Sequence, residues 1–258
     1  MGSNPPTRPN HLEPSPLGTK EYWDSLYTTE LHNHSADTSD IGTIWFSDSG
    51  AENKVLSFLS LRILSDKKVL GPETTRQNCS FLDLGTGNGH FLLRLRGLDE
   101  DGEEDEEGEK WEGRMLGVDY SAQSIEFARR IAASKGVELD FEYFDLMNDS
   151  PASILTKDQS EGWDVVLDKG TFDAISLSEE RDGQGRRLCE GYREKVMPLV
   201  REGGLLLVTS CNWTGEELRA WFAGVGLRVV GEVGYRSFVF GGAAGQTISS
   251  VCFRKESG

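Results

Sequence analysis

The stretch Phe81-Leu82-Asp83-Leu84-Gly85-Thr86-Gly87-Asn88-Gly89 decides how this chain reads. Its first four residues are an apolar run interrupted by one acid, Asp83, and predict a strand over 81–84. Glycine then recurs at every second position, at Gly85, Gly87 and Gly89. The spacing of Phe91, Leu92, Leu93 and Leu95 predicts an amphipathic helix that begins near His90. Glycine lacks a Cβ, so its backbone can approach a bound group closely. A strand, a glycine turn and a helix in this order place that approach at the carboxyl edge of a parallel sheet, where such folds bind ligands. The turn reads as a cofactor-binding turn, with a ligand-free tight turn as the alternative. The dinucleotide fingerprint G-x-G-x-x-G does not fit. The third glycine comes one residue early, and His90 stands where the fingerprint needs it. Asp83 would repel a pyrophosphate, whereas an acid at this turn can orient a cationic amino-acid ligand.

Outward from the turn, strands are predicted at 115–119, 139–144, 163–168 and 204–210, with two more at 227–231 and 247–253. A helical pattern over 121–134 carries Ile125, Ala128, Ile131 and Ala132 on one side. This alternation predicts an α/β fold with a doubly wound, mostly parallel sheet. Upstream, Thr19 reads as the cap of a helix with Tyr22, Trp23, Leu26 and Tyr27 at helical spacing. Residues 32–44 read as a loop, and a second helix is expected over 51–65. Residues 1–16 are polar and proline-rich and read as a disordered tail. That leaves 17–258 as one domain with an N-terminal helical extension.

The net charge is −16, and nine acids against one lysine in residues 99–110 supply half of it. That run reads as a solvated insertion loop, spanning 98–112, between the first core helix and the second strand. The rest of the chain is still acidic, so nucleic acid is a poor partner and a basic protein a better one. No apolar run approaches the ~20 residues that cross a bilayer. The first ten residues carry no apolar core of a secretory leader. Cys79, Cys189, Cys211 and Cys252 are scattered, with no zinc or redox spacing, and no histidine set completes a metal site. A cytoplasmic protein with reduced thiols, no metal and no membrane contact is expected. No long apolar surface stripe stands out, so a monomer is expected.

Asp119 ends the second strand and precedes Tyr120. A carboxylate there can accept two hydrogen bonds from a ribose diol, a role common to several nucleoside-binding folds. It lies further from the glycines than the usual ~20 residues because of the acidic insertion. Phe144 and Asp145 end the third strand, where a ring can flank an adenine and a carboxylate can accept from its amine; an ordinary strand-end turn acid is the alternative for Asp145. Asp168, Lys169 and Gly170 end the fourth strand beside the same cleft. An acid here can position a substrate amine, and Lys169 is expected to pair with Asp168 or a neighbouring acid. A purely structural ion pair is the alternative. Trp23 and Trp45 offer ring faces that attract a sulfonium or an ammonium, or else simply pack the N-terminal helix onto the sheet.

Several blocks together carry a family resemblance: 17–27 (LGTKEYWDSLY), Trp45-Phe-Ser-Asp-Ser, Leu82-Asp-Leu-Gly-Thr-Gly-Asn-Gly-His, Gly117-Val-Asp-Tyr-Ser, Leu167-Asp-Lys-Gly-Thr-Phe-Asp-Ala-Ile and Thr209-Ser-Cys-Asn-Trp-Thr. The glycine turn resembles motif I of class I methyltransferases. With the other blocks the chain resembles the protein-lysine methyltransferases that modify translation elongation factor 1-alpha in fungi and animals (the yeast EFM-four and human METTL-ten type). The resemblance runs from about Gly18 to the C-terminus. The acidic insertion and the glycine-rich segment 241–245 depart from the family's pattern and read as loop changes. The resemblance implies a seven-stranded sheet with S-adenosylmethionine over the glycines. It implies that Asp83, Gly85, Gly87, Asp119 and Asp145 hold that cofactor, and Gly89, Tyr120, Phe144 and Asp168 are further cofactor-binding candidates. Asp168 would face the transferred methyl, with Lys169 beside it as a second catalytic candidate. It further implies a protein partner, elongation factor 1-alpha.

Three other readings stay open on the residues alone. A small-molecule methyltransferase would want a deep apolar lid, and the N-terminal segment is short. An NAD-dependent oxidoreductase would want a third glycine at His90 and a Tyr–Lys or His–Asp pair. A silent scaffold would not need the glycine turn together with Asp119 and Asp168.

Overall fold

The structure is a computed structural model that describes residues 8–64, 69–98, 110–236, 238–240, 243–245 and 247–256. Most of the expected acidic insertion, residues 99–109, lies outside the described residues. The strands are β1 (Phe81–Leu84), β2 (Met115–Asp119), β3 (Asp140–Tyr143), β4 (Trp163–Lys169), β5 (Val200–Ser210), β6 (Leu227–Val233), β7 (Phe238–Phe240), β8 (Ala243–Gly245) and β9 (Ser249–Lys255). Seven of them form one sheet in the order β3-β2-β1-β4-β5-β9-β6. The first five are parallel, and β9 runs antiparallel to both β5 and β6. The glycine-rich segment read as a loop instead contributes β8, which pairs antiparallel with β7 outside the main sheet.

Helices cover both faces, which is why β1 and β4 are near-continuous apolar runs rather than alternating ones. On one face lie α1 (Lys20–Ala36), α2 (Ala51–Leu64), α3 (His90–Leu95) and α4 (Ala122–Ser134), packed through Leu59, Phe91 and Phe127. On the other lie α5 (Thr171–Ser176), α6 (Leu188–Val196) and α7 (Gly215–Phe222), packed through Phe172, Tyr192 and Phe222. Phe172 and Phe222 meet edge to face at 4.8 Å.

Helix α1 starts as expected, with the Thr19 hydroxyl accepting from the Tyr22 amide at 3.3 Å. It runs to Ala36, five residues into the segment read as a loop. Its inner face continues through Trp23, Tyr27, Glu30 and His34, and the last three are buried. Two polar residues on a buried face hide the helical period. They are there to hold the next turn: Glu30 Oε1 accepts from the Thr43 amide and hydroxyl, and His34 Nδ1 contacts the Asp40 carbonyl at 2.8 Å.

Residues 8–16, expected within a disordered tail, lie along the α5–α6 side instead. His11 stacks on Trp221 at 6.3 Å, and the Arg187 guanidinium donates to the Leu12 carbonyl at 2.9 Å. No helix among the described residues is long and apolar enough to cross a membrane.

Candidate active site

The strand order reverses between β1 and β4, which is where open α/β sheets form a ligand crevice. A cavity of about 400 Å³ sits there, at the carboxyl ends of β1 to β5 and under α1 and the segment before it. Gly85, Gly87 and Gly89 have φ of 62°, 59° and 75°, a backbone region that side-chain-bearing residues rarely adopt. A Cβ on Gly85 would overlap the Thr171 hydroxyl, which donates to the Leu84 carbonyl at 2.6 Å. A Cβ on Gly87 would stand 2.7 Å from the Tyr27 hydroxyl. Both glycines line the cavity. Gly89 does not: its missing Cβ makes room for the Phe141 ring, so it seats α3 against the sheet.

Asp83 lies beneath the turn rather than on the cavity wall. It is buried and accepts from the Thr86 hydroxyl at 2.8 Å. Burial pushes its carboxyl up to about 7, against the opposing pull of that hydroxyl. The native chain therefore holds a proton on Asp83 that the unfolded chain releases above 3.8, and stability falls as pH rises between those values. In thermal unfolding from pH 4 to pH 8, wild type is expected to lose stability relative to Asp83→Asn. Parallel pH curves for the two proteins would refute this.

Asp119 does line the cavity. One oxygen accepts from the Gly87 amide at 3.1 Å and the Ser124 hydroxyl at 2.9 Å, and the other accepts from the Ser121 amide at 2.9 Å. It thus ties the glycine turn to the end of β2, and burial raises its carboxyl above the ordinary value. Ser121 caps α4, its hydroxyl accepting from the Ser124 amide. Tyr120 and Phe144 are on the same wall. Asp145 spends its carboxylate on its own turn, accepting from the Met147 amide at 3.0 Å and the Asn148 amide at 3.2 Å. That turn presents Leu146 and Met147 to the cavity.

The end of β4 departs most from expectation. Asp168, expected to face a transferred methyl, is 1% exposed and points away from the cavity. It accepts from the Thr171 amide at 2.9 Å, the Phe172 amide at 3.2 Å and the Tyr192 hydroxyl at 2.6 Å, so it anchors α5. Asp173, inside α5, does line the cavity, as Asp119, Asp145 and Glu180 also do. It accepts from the Cys211 amide at 2.8 Å and from the Ser210 hydroxyl. Lys169 reaches the wall but pairs with Glu52 of α2 at 3.4 Å, not with Asp168. Burial works against the charge of Glu52. The Lys169 ammonium and the His90 ring, 2.7 Å away, more than offset that and hold its carboxyl below the usual range.

Trp23 and Trp45 come together, with ring centroids 5.4 Å apart, and Phe46 joins them on the wall. Of the wall residues, Tyr27, Phe46, Thr171, Asp173 and Asn212 were not singled out from the sequence. Thr171, Asp173 and Asn212 stand inside the quoted motifs, and Tyr27 follows Trp23 by one helical turn.

Comparison with known proteins then fixes the family. Residues 75–234 match the model of a methyltransferase domain. The chain is 37% identical to protein-lysine N-methyltransferase EFM4 of Saccharomyces cerevisiae, over 95% of this chain and 97% of that one. It is 31% identical to EEF1A lysine methyltransferase 2 of Danio rerio, over 96% of this chain and 92% of that one. The chain belongs to this protein-lysine methyltransferase family. The fold agrees: magnesium protoporphyrin IX methyltransferase of Synechocystis superposes with a TM-score of 0.52 at 12% identity, over 92% of this chain and 95% of that one.

The methyl donor of this methyltransferase is S-adenosylmethionine, and the wall suits it. At the β2 and β3 ends, Asp119 offers a carboxylate to a diol, and Phe144, Leu146 and Met147 form an apolar slot for a base. Gly85 and Gly87 present bare backbone at the switch point, and aromatic faces beyond them suit a sulfonium.

Proposed function

We propose that this protein methylates a lysine of translation elongation factor 1-alpha. The observation that supports this reading most is the two-ended cavity, a nucleoside wall at one end and an aromatic wall with an acid at the other. It stands in a chain whose full-length relatives include an EEF1A lysine methyltransferase. When bound, S-adenosylmethionine supplies a sulfonium methyl, which the lysine lone pair takes by in-line displacement while the broken bond's electrons stay on sulfur.

The chain's own residues position this exchange. Gly85 and Gly87 admit the cofactor's backbone-facing side, and Asp119 orients the ribose through the one acceptor site that its three donors leave on Oδ1. Tyr120 and Phe144 flank the base, and Asp145 shapes the loop that closes on it. Asp83, Gly89 and Asp168 act one step back, holding the turn and the start of α5. A lysine has a pKa near ~10.4 and must shed its proton first, which desolvation in a cleft makes easier. Acceleration comes from positioning and from removing water around the amine. The acidic surface speeds encounter with a basic protein; in this reading the enzyme works in the cytoplasm as a monomer.

The test is methyl transfer from radiolabelled S-adenosylmethionine to purified elongation factor 1-alpha and, separately, to a cytosolic extract. Wild type is expected to label a lysine of that factor. Asp119→Ala is expected to lower labelling on the order of a hundredfold, since it removes an acceptor from the wall and also frees the Gly87 and Ser121 amides that hold the turn. Labelling of a small molecule, with no labelled protein, would overturn the proposal.

A further inference from the structure

We propose that Trp45 and Phe46 form the acceptor subsite, and that the Phe46 ring sets how the incoming lysine side chain is held. This deepens the lysine-methylation reading and rests on it.

The strand order divides the cavity. Asp119, Tyr120 and Phe144 stand at the ends of β2 and β3, on one side of β1. Gly170, Asp173 and Asn212 follow β4 and β5, on the other side. A nucleoside held by the first set leaves the second set for another occupant. Phe46 belongs to that second side: its ring would meet a Cβ on Gly170 at 3.3 Å.

Phe46 is also the one non-glycine residue with positive φ among the described residues, at 67°. A bulky residue in that region carries strain, which persists only where the surroundings enforce it and which clusters at functional sites. The surroundings here are specific. The Phe46 carbonyl accepts from the Ser49 hydroxyl at 2.8 Å and the Ala51 amide at 3.3 Å. The Lys169 ammonium, itself paired with Glu52, donates to the Trp45 carbonyl at 3.3 Å. In an extended segment successive side chains point to opposite sides. The left-handed turn lets Trp45 and Phe46 both face the cavity.

The Lys169 ammonium already lies over the Phe46 ring, 5.9 Å from its centroid, so this ring takes a cation. With Asp173 on the same cavity wall, the two rings suit a long aliphatic stem that ends in a cation. The lysine side chain fits that description and a nucleoside does not; the methionine end of the cofactor shares it, so the acceptor is probed with the cofactor's product in place.

The test separates ring from backbone and acceptor from cofactor. Phe46→Gly keeps the left-handed turn and deletes the ring, and Phe46→Tyr keeps the ring. The probe is n-butylammonium, titrated into protein saturated with S-adenosylhomocysteine and read by the shift of tryptophan fluorescence. Wild type is expected to show saturable binding, weakened about tenfold in Phe46→Gly and retained in Phe46→Tyr. S-adenosylmethionine affinity, by calorimetry, is expected to change less than about twofold in both. Unaltered n-butylammonium binding in Phe46→Gly, or an equal loss of cofactor affinity, would overturn the subsite. Should elongation factor 1-alpha go unlabelled while n-butylammonium still binds through Phe46, the protein substrate falls and the subsite stands.

Discussion

Gly85→Ala is expected to destabilise the fold by about 2–4 kcal/mol and to reduce S-adenosylmethionine affinity by at least about a hundredfold. Two costs add at this position. The first is conformational, because φ is 62° and an alanine pays about 1 kcal/mol or more to stay there. The second is steric, because the new methyl would overlap the Thr171 hydroxyl. Thr171 cannot simply turn aside. Its hydroxyl donates to the Leu84 carbonyl, and its amide donates to Asp168 at the start of α5. Displacing it moves the β1 turn and the β4 turn together, and those turns face each other across the switch point. Gly136→Ala is the control. Its φ is 66° but nothing lies within 4 Å of the added methyl, so it bears the conformational cost alone. Urea denaturation of both variants, with calorimetry of cofactor binding, decides the matter. Equal stability losses at the two positions would show that the Thr171 contact is not rigid.

The sequence was most legible where one physical requirement fixed the residue type. Strands buried on both faces must be apolar, so β1 and β2 were read with their observed bounds. The switch-point glycines were readable because no other residue fits the turn. Legibility failed where buried polar groups replaced apolar ones. Glu30 and His34 sit on the inner face of α1 and staple residues 40–43, so the helix was ended too early. Failure of another kind came with the acids. A motif names Asp168 and Asp173 alike, and spacing does not say which one turns inward. Only the start of α5 decides: a carboxylate at Asp168 is drawn to the free amides of Thr171 and Phe172, leaving Asp173 a turn later beside Cys211. The partner of Lys169 was out of reach for a similar reason, since Glu52 is remote in sequence and meets it only through the packing of α2.

Asp168→Ala is expected to lose about 3–5 kcal/mol of stability, a structural collapse rather than a selective loss of turnover. The side chain is almost wholly buried, and all three of its partners are fixed groups. Removing it strands two amides and the Tyr192 hydroxyl without an acceptor, and each stranded donor bears its own desolvation cost. Tyr192→Phe removes one donor and leaves the carboxylate its amides, so about 1–2 kcal/mol is expected there. That variant separates the two roles available to Asp168. If Asp168 only anchors α5, Tyr192→Phe lowers the melting temperature while KM for the protein acceptor stays near wild type. If Asp168 instead contacted the amine, loosening it through Tyr192 would raise KM or shift the pH profile of kcat. Burial pushes the Asp168 carboxyl up to about 7, so such a shift would fall near neutral pH and be readily measured. Unchanged kinetics with lowered stability would take Asp168 out of the acceptor site and leave that role to the acids that line this end of the cavity, Asp173 foremost because Ser210 and Cys211 fix it.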